Sequence, residues 1–240
     1  MNKDISISVR PGPDVIEPLA EHTATIIFIH GLGDKPETLH EPINQWRSNG
    51  QVDNIKFVLP HAPIIPFTAK ASAYMPTWFD IKVYDGLPDA LQTDEDVDGI
   101  FASRDYIHSL IEEETSAGIP SERIMLAGFS QGGVIAAAAG LTYSQPLAGI
   151  ILLSAWLPLA QKIMEYVPEE NPNKETPIFQ GHGVDDRLVP VGFAKKSREA
   201  LTAMGLSVSW NVYGRWVMRL ARTSWTMWKR LLKKGCCSFY

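Results

Sequence analysis

The stretch Gly128-Phe129-Ser130-Gln131-Gly132 places a serine between two glycines. An apolar run, MLAG, precedes the serine and a helix-forming run, VIAAAAG, follows it. A serine on a tight strand-to-helix turn exposes its hydroxyl, and glycines flank it because side chains there would collide. We therefore predict that Ser130 is a nucleophile. The Gln131 amide begins the helix, where free N–H groups favour a developing anion, so it is predicted to be an oxyanion donor.

Two further loops follow strand-like runs and carry groups that such a serine needs. His30-Gly31-Leu32-Gly33-Asp34 lets the backbone approach a bound group, and its Leu32 amide is the predicted second oxyanion donor. The loop from 181 to 190, GHGVDDRLVP, contains Asp185 and Asp186 after the serine, as the order serine, acid, histidine requires. The pattern alone leaves the choice between the two carboxylates open.

The histidine that would activate the serine is not evident in the sequence. A serine hydroxyl is a poor nucleophile at neutral pH without an adjacent base. The chain has six histidines, and all of them precede Asp186: His22, His30, His40, His61, His108 and His182. His30 and His182 lie near the predicted site, but each belongs to a strand-end loop and breaks the expected order.

Short apolar runs bounded by glycine and proline predict buried parallel strands. They lie at 24–29, 55–59, 122–128, 147–153, 177–182 and 206–213. Helical periodicity or composition covers 95–117, 131–142 and 192–204. Strands that alternate with helices predict a right-handed α/β fold with a parallel sheet.

The segment 60–94 is rich in both proline and aromatic residues. It is too proline-rich for a long helix and too apolar for a plain linker. Long loops of this kind are often functional, so the segment is predicted to be a wall or partial cover over the site. An irregular packed excursion with no role at the site is the alternative.

Composition excludes several classes of function. The chain has 240 residues, of which 45% are hydrophobic, as expected for one globular domain. Residues 1–214 carry 15 basic against 27 acidic side chains, which argues against a nucleic-acid partner. HGLGD is not followed by the spacing of a nucleotide-binding loop, which argues against a cofactor-binding α/β protein. Cysteine occurs only at 236 and 237, and no secretory signal is recognisable, which favours the cytosol.

Taken together, these strings resemble the acyl-protein thioesterase/lysophospholipase group of α/β-hydrolases, in particular its type 1 cytosolic members. The similar strings are FIHGLGD, LPHAP, MPTWFDI, GIPSERIMLAGFSQGG, LAGIILLSAWLP, GHGVDDRLVP and WNVY, in the expected order over residues 24–213. The resemblance implies that Asp186 is the triad acid, that Leu32 and Gln131 supply the oxyanion amides, and that Trp78 and Phe79 help to line an acyl groove.

The same resemblance implies the substrates and the location. They are long-chain acyl thioesters on S-acylated (palmitoylated) proteins, together with lysophospholipids and small esters, cleaved without a metal or cofactor. The implied location is cytoplasmic and also nuclear, with at most peripheral membrane contact. A non-catalytic relative that binds lipid or protein is the alternative, because the triad histidine is absent.

Residues 215–240 depart from the family and form a basic tail with seven Lys and Arg, three Trp and no acid. A Gly-His pair and an acidic helix should follow WNVY. In a reading frame shifted by one base, each triplet consists of the last base of one codon and the first two bases of the next. The Trp216-Val217 junction then encodes Gly, and the Val217-Met218 junction can encode His. The shifted frame can spell MGHAACPNELDDVE. We therefore hypothesise a one-base frame shift near residue 214, which divides the chain into a hydrolase domain, 1–214, and an aberrant tail.

The tail has a second interpretation. Its mixture of Arg, Lys, Trp and Leu is similar to that of helices that lie in a membrane interface. A shifted reading frame imitates such a pattern readily, and the two interpretations are kept as alternatives.

Overall fold

The computed structural model describes residues 10–48, 52–83 and 90–214. Nine strands occur within these ranges, and seven of them form one sheet in the order β1-β3-β2-β6-β7-β8-β9. The strands are β1 (Asp14–Ile16), β2 (Ala24–Ile29), β3 (Ile55–Leu59), β4 (Ile64–Phe67), β5 (Ala73–Pro76), β6 (Ile124–Phe129), β7 (Gly149–Leu153), β8 (Ile178–Gly183) and β9 (Val208–Tyr213). All neighbours in the large sheet pair in parallel except β1, which is antiparallel to β3.

Four α-helices occur in the described residues, and they cover the two faces of the sheet. They are α1 (His40–Arg47), α2 (Val97–Ser116), α3 (Gln131–Thr142) and α4 (Val191–Ala203). The buried side chains of α2, α3 and α4 belong to one apolar cluster, and those of α1 belong to the cluster on the opposite face. This α/β architecture with a mostly parallel sheet confirms the fold class predicted from the alternation of apolar runs and helices.

The central strands are buried on both faces, which explains why they appear in the sequence as continuous apolar runs rather than alternating ones. Every residue of β2, β6, β7 and β8 is buried. Alternate residues of β2 contribute to opposite clusters, with Ile27 on one face and Phe28 on the other. The carboxyl ends of these strands therefore meet at one edge of a rigid core, where a parallel α/β sheet presents its functional loops.

The sequence missed the elements that lack a strong periodic signal. Helix α1 contains Pro42 and only eight residues, and β1 has three residues, so neither pattern is distinctive. The prediction that 206–213 is a buried strand is wrong in one respect. Strand β9 lies at the sheet edge and its residues are partly or fully exposed.

The segment 60–94 is more ordered than a plain excursion. Its first part forms the antiparallel hairpin β4–β5, and residues 84–89 lie outside the described residues. The basic tail 215–240 also lies outside them, so the frame-shift and membrane-interface hypotheses remain predictions. In the described part of the chain, no helix has the length and apolar character required to cross a bilayer.

Candidate active site

The turn between β6 and α3 holds Ser130 in a backbone conformation that non-glycine residues rarely adopt. Its φ is 52° and its ψ is −122°. A Cβ on Gly128 would lie 2.2 Å from the Gly132 carbonyl oxygen, and one on Gly132 would lie 2.2 Å from that of Ile29. Both glycines are therefore required by backbone contacts, as the sequence predicted from the tightness of the turn. Such strain is retained at sites where the surroundings fix the geometry.

Ser130 lines a cavity of about 300 Å³ at the carboxyl edge of the sheet. The cavity is lined mainly by apolar side chains, together with the backbone of the loop after β2. Its lining residues are Gly31, Leu32, Gly33, Asp34, Phe67, Ile81, Leu91, Phe129, Ser130, Gln131, Trp156, Leu188 and Val189. A concave apolar site with a few polar groups is the usual form of a small-molecule site. It brings together four predicted features: the serine, both amide donors and the loop that bears the acid.

The segment 60–94 contributes Phe67 and Ile81, together with Leu91, to the cavity wall. This is the wall that the sequence predicted. Sequence analysis missed Trp156, which follows the end of β7, and Leu188 and Val189, which follow the end of β8. Their position just after predicted strands was the available signal, because strand ends on one edge converge.

The loop after β2 holds the Leu32 amide against the serine turn. A Cβ on Gly31 would lie 3.5 Å from the Ser130 Cβ, so the two segments are in contact. The Gly33 N–H donates to the Pro76 carbonyl at 2.8 Å. Among the described residues, no acceptor is found for the Leu32 N–H, which leaves that donor available to a ligand in the cavity.

The Gln131 amide is the first N–H of α3, a position without a helical acceptor. The Gln131 side chain is buried and clamps a different segment. Its Oε1 accepts from the Trp78 N–H at 2.8 Å, and its Nε2 donates to the Phe79 carbonyl at 2.7 Å. The sequence did not predict this second role.

Trp78 and Phe79 do not belong to the cavity lining. Their side chains are 1% and 2% exposed and pack in the core beneath the site. The Trp78 indole Nε1 donates to the His30 carbonyl at 2.8 Å. The structure therefore places both residues behind the cavity wall, and their predicted contact with substrate has no support in the geometry.

Asp186 is buried at the start of the loop after β8, and only one of its oxygens is satisfied. Its Oδ1 accepts from the N–H groups of Leu188, at 3.0 Å, and Val189, at 2.9 Å. Its Oδ2 is buried and has no hydrogen-bond partner among the described residues. Asp185, the other candidate, is exposed. A buried carboxylate oxygen without a partner is costly, and it marks the place where the imidazole of a triad would donate.

None of the six histidines lines the cavity. His30 is buried and has both ring nitrogens engaged: Nδ1 donates to the Gly31 carbonyl at 2.8 Å, and Nε2 accepts from the Ala62 N–H at 3.3 Å. Burial lowers the pKa of His30, so the ring is neutral. With no free lone pair, His30 does not suit the role of base.

His182 is also unsuited, although it lies near the acid. Its Nε2 donates to the Val189 carbonyl at 2.7 Å and is 3.7 Å from Asp186 Oδ2. Its ring is fully buried within β8, and burial lowers its pKa. The other four histidines have partners elsewhere: His22 contacts Thr25, His40 and His61 face Asp14, and His108 contacts the Ala139 carbonyl.

A partly buried carboxylate contacts the segment that follows Trp156. Both oxygens of Glu95 accept from the Leu159 N–H, at 3.1 and 3.0 Å, three residues after Trp156. Burial raises the pKa of Glu95 to about 7. The parts of the chain that the structure describes contain no cluster of three or more His, Cys, Asp or Glu side chains suited to a metal.

Comparison with known proteins identifies relatives over most of the chain. A model of the phospholipase/carboxylesterase family matches residues 11–225. Acyl-protein thioesterase 1 of Neurospora crassa is 46% identical over 208 residues, which cover 87% of this chain and 84% of the relative. Acyl-protein thioesterase 1 of Gibberella zeae is 43% identical, with 86% and 88% covered.

The crystal structure of SOBER1 from Arabidopsis thaliana has the same architecture. It matches with a TM-score of 0.78 and 27% identity, and the match covers 89% of this chain and 99% of SOBER1. The α/β-hydrolase fold that the sequence predicted is therefore confirmed.

Proposed function

The chain belongs to the phospholipase/carboxylesterase family, and from that premise we propose that it hydrolyses acyl thioesters of S-acylated proteins. Lysophospholipids and small carboxylic esters are the further substrates of the same site. Its function by homology is that of an acyl-protein thioesterase and carboxylic ester hydrolase. The observation that supports this function best is the strained Ser130 in an apolar cavity, with the Leu32 and Gln131 amides beside it.

In this mechanism the Ser130 Oγ attacks the carbonyl carbon of the acyl group. The Leu32 and Gln131 N–H groups stabilise the oxyanion, the C–S or C–O bond breaks, and water then hydrolyses the acyl-enzyme. Asp186 orients a histidine, which takes the serine proton and returns it to the leaving group. The apolar lining, including Phe67 and Trp156, holds the acyl chain.

The histidine of this mechanism comes from the shifted reading frame, at the Val217–Met218 junction. Two observations support this origin. None of the six histidines of the present sequence lines the cavity, and the Asp186 Oδ2 has no partner in the described residues. A chain that keeps residues 215–240 as they stand should therefore turn over slowly, because loss of a triad histidine lowers kcat by about 10⁶-fold.

We place the protein in the cytoplasm and the nucleus, with at most peripheral membrane contact. The confinement of cysteine to positions 236 and 237 supports a reducing compartment.

The alternative function is that of a relative that binds lipid or protein without hydrolysing it. The specific observation in its favour is an apolar cavity whose described lining residues include no histidine. If the transcript encodes residues 215–240 unchanged, binding is the activity to assay.

The test compares the present chain with a frame-restored form, in which the second frame replaces residues 215–240. We expect the restored form to hydrolyse a palmitoyl thioester about 10⁶-fold faster than the present chain. Ser130→Ala in the restored form is the matched control and should abolish the gain. Equal turnover by the two forms would contradict the proposed base, and the coding sequence across codons 205–240 decides which form the cell makes.

A further inference from the structure

We propose that Trp78 is a positioning residue that holds both oxyanion amides in place, an inference that rests on the proposed hydrolase site. Trp78 does not contact the cavity. Instead it donates from its backbone to the Gln131 side chain and from its indole to the His30 carbonyl. These two acceptors belong to the two segments that carry the oxyanion donors. We call this pair of contacts the Trp78 bridge.

On the side of the loop after β2, the bridge fixes the first of three successive peptide groups. The Trp78 indole holds the His30 carbonyl at 2.8 Å, and the His30 Nδ1–H holds the Gly31 carbonyl at 2.8 Å. The Pro76 carbonyl holds the Gly33 N–H at 2.8 Å. In a trans peptide the C=O and N–H point in opposite directions. Fixing the Gly31 carbonyl towards His30 therefore directs the Leu32 N–H away from it.

The His30 ring that fixes this peptide is itself anchored. Its Nε2 accepts from the Ala62 N–H at 3.3 Å, and its ring centroid lies 5.2 Å from that of Trp78. The histidine of HGLGD therefore acts as a neutral hydrogen-bonding group within the loop. Its conformation depends on Trp78 through both the ring contact and the carbonyl bond.

On the side of the turn between β6 and α3, the Trp78 bridge fixes Gln131, the residue whose amide is the other oxyanion donor. The Gln131 side chain is 1% exposed and bonds to the backbone of Trp78 and Phe79. The Trp78 carbonyl in turn accepts from the Ser103 hydroxyl of α2. Displacement of Trp78 would release both the loop after β2 and the turn between β6 and α3. The apolar lining of the cavity would remain.

The kinetic experiment uses Trp78→Phe in the frame-restored form, because the present chain is expected to turn over too slowly. The substitution keeps an aromatic ring and the backbone bond to Gln131 but removes the indole donor. The buried His30 carbonyl then loses that partner. A lost oxyanion donor typically lowers kcat by about 10²–10³-fold, and a displaced one should lower it by about 10–100-fold. We expect kcat for p-nitrophenyl octanoate to fall by that factor while KM stays within twofold.

A binding measurement keeps the inference separate from the proposed function. Octylboronic acid adds to a serine: the B–O bond to Oγ forms, the serine proton leaves to solvent, and the anionic adduct needs the oxyanion donors. Octanol needs only the apolar wall. Trp78→Phe should lower the affinity for octylboronic acid by about tenfold, because the oxyanion amides of the variant are misplaced. The affinity for octanol should stay unchanged. If the frame-restored parent hydrolyses nothing, the proposed function fails, but the difference in binding still tests the Trp78 bridge.

Two further variants make the test decisive. Gln131→Met breaks the other arm, and its effect combined with Trp78→Phe should be less than additive, because both act through one assembly. It also carries the test if Trp78→Phe does not fold. Trp46→Phe is the matched control, since Trp46 is 3% exposed on the opposite face of the sheet. The inference is overturned if Trp78→Phe keeps kcat and octylboronic acid affinity within twofold of the parent, or if Trp46→Phe loses as much.

Discussion

The turn that holds Ser130 (the serine turn) and the loop that holds Asp186 (the acid loop) follow β6 and β8 of one sheet. They differ in how completely their hydrogen-bonding and steric requirements are met. At the turn, Gly128 and Gly132 pack against backbone atoms, and the Ser130 N–H donates to the Leu153 carbonyl at 2.8 Å. In the acid loop, Asp186 is buried with one oxygen bonded and the other without a partner in the described residues. The turn is complete within the core, whereas one carboxylate oxygen of the acid loop has no partner among the residues that the structure describes.

The comparison shows which parts of the site depend on the fold alone. The turn needs β2, β6, β7 and α3, all of which are present. In the proposed mechanism, the acid takes its donor from the segment after β9, which lies outside the described residues.

The largest effect is expected from Asp186→Asn, measured in two backgrounds. In the frame-restored form the amide would misorient the histidine and lower kcat by about 10⁴-fold. In the present chain the same substitution should change kcat by less than about threefold, because no histidine is there to orient. Steady-state hydrolysis of p-nitrophenyl octanoate measures both. An equal loss in the two backgrounds would mean that the present chain already contains the base.

The turn is tested by Gly132→Ala. The added Cβ would lie 2.2 Å from the Ile29 carbonyl oxygen and 2.4 Å from that of His30, and neither backbone can retreat cheaply. We expect the free energy of unfolding to fall by about 3 kcal/mol or more. Gly192→Ala is the control, because nothing lies within 4 Å of its Cβ in α4, and it should stabilise by up to about 1 kcal/mol. Urea denaturation gives the free energy of unfolding of both variants. A loss confined to Gly132→Ala would assign the effect to close packing rather than to the replacement of glycine by alanine in general.

A partly buried carboxylate with both oxygens hydrogen-bonded, Glu95, provides the reference for the acid loop. Burial raises the pKa of Glu95 from 4.5 to about 7, so the folded state binds the proton more tightly than the unfolded state. The free energy of unfolding should therefore be greatest below pH 4.5 and decrease by about 2 kcal/mol as pH rises through 7. Glu95→Gln should remove this decrease in denaturant titrations between pH 4 and 8. The exposed Glu165→Gln should keep it, and an unchanged slope in Glu95→Gln would contradict the assignment.

The smallest effect concerns the strain at the nucleophile. The positive φ of Ser130 suits glycine better than any residue with a Cβ. Ser130→Gly should therefore raise the free energy of unfolding by about 1 kcal/mol relative to Ser130→Ala, although both remove the nucleophile. Paired thermal unfolding curves give the difference. If the alanine variant is the more stable, the turn is not strained.

The fold was predictable from sequence because its signals are local. Helix α3 was predicted with its exact bounds, and β2 and β3 also match, since each is a continuous apolar run with glycine or proline nearby. Ser130 and the Gln131 amide followed from the motif. The hairpin β4–β5 was missed because proline obscures the strand pattern in that segment.

The internal structure of the site could not be predicted in the same way. Their place in the segment 60–94, together with the family resemblance, suggested that Trp78 and Phe79 help to line an acyl groove. Their burial depends on the Gln131 side chain and α2, contacts that join residues 53 and 25 positions apart. Such long-range pairings leave no periodic trace in a single sequence.

The close packing of the serine turn has a consequence for how lineages lose enzymes. Its glycines are held in place by the stability of the core, so selection for a folded protein preserves them even after turnover has ceased. The histidine has no such second reason to persist. A descendant that loses turnover and keeps only binding would therefore retain the GFSQG motif longest. The motif alone then indicates membership of the family more reliably than it indicates present activity.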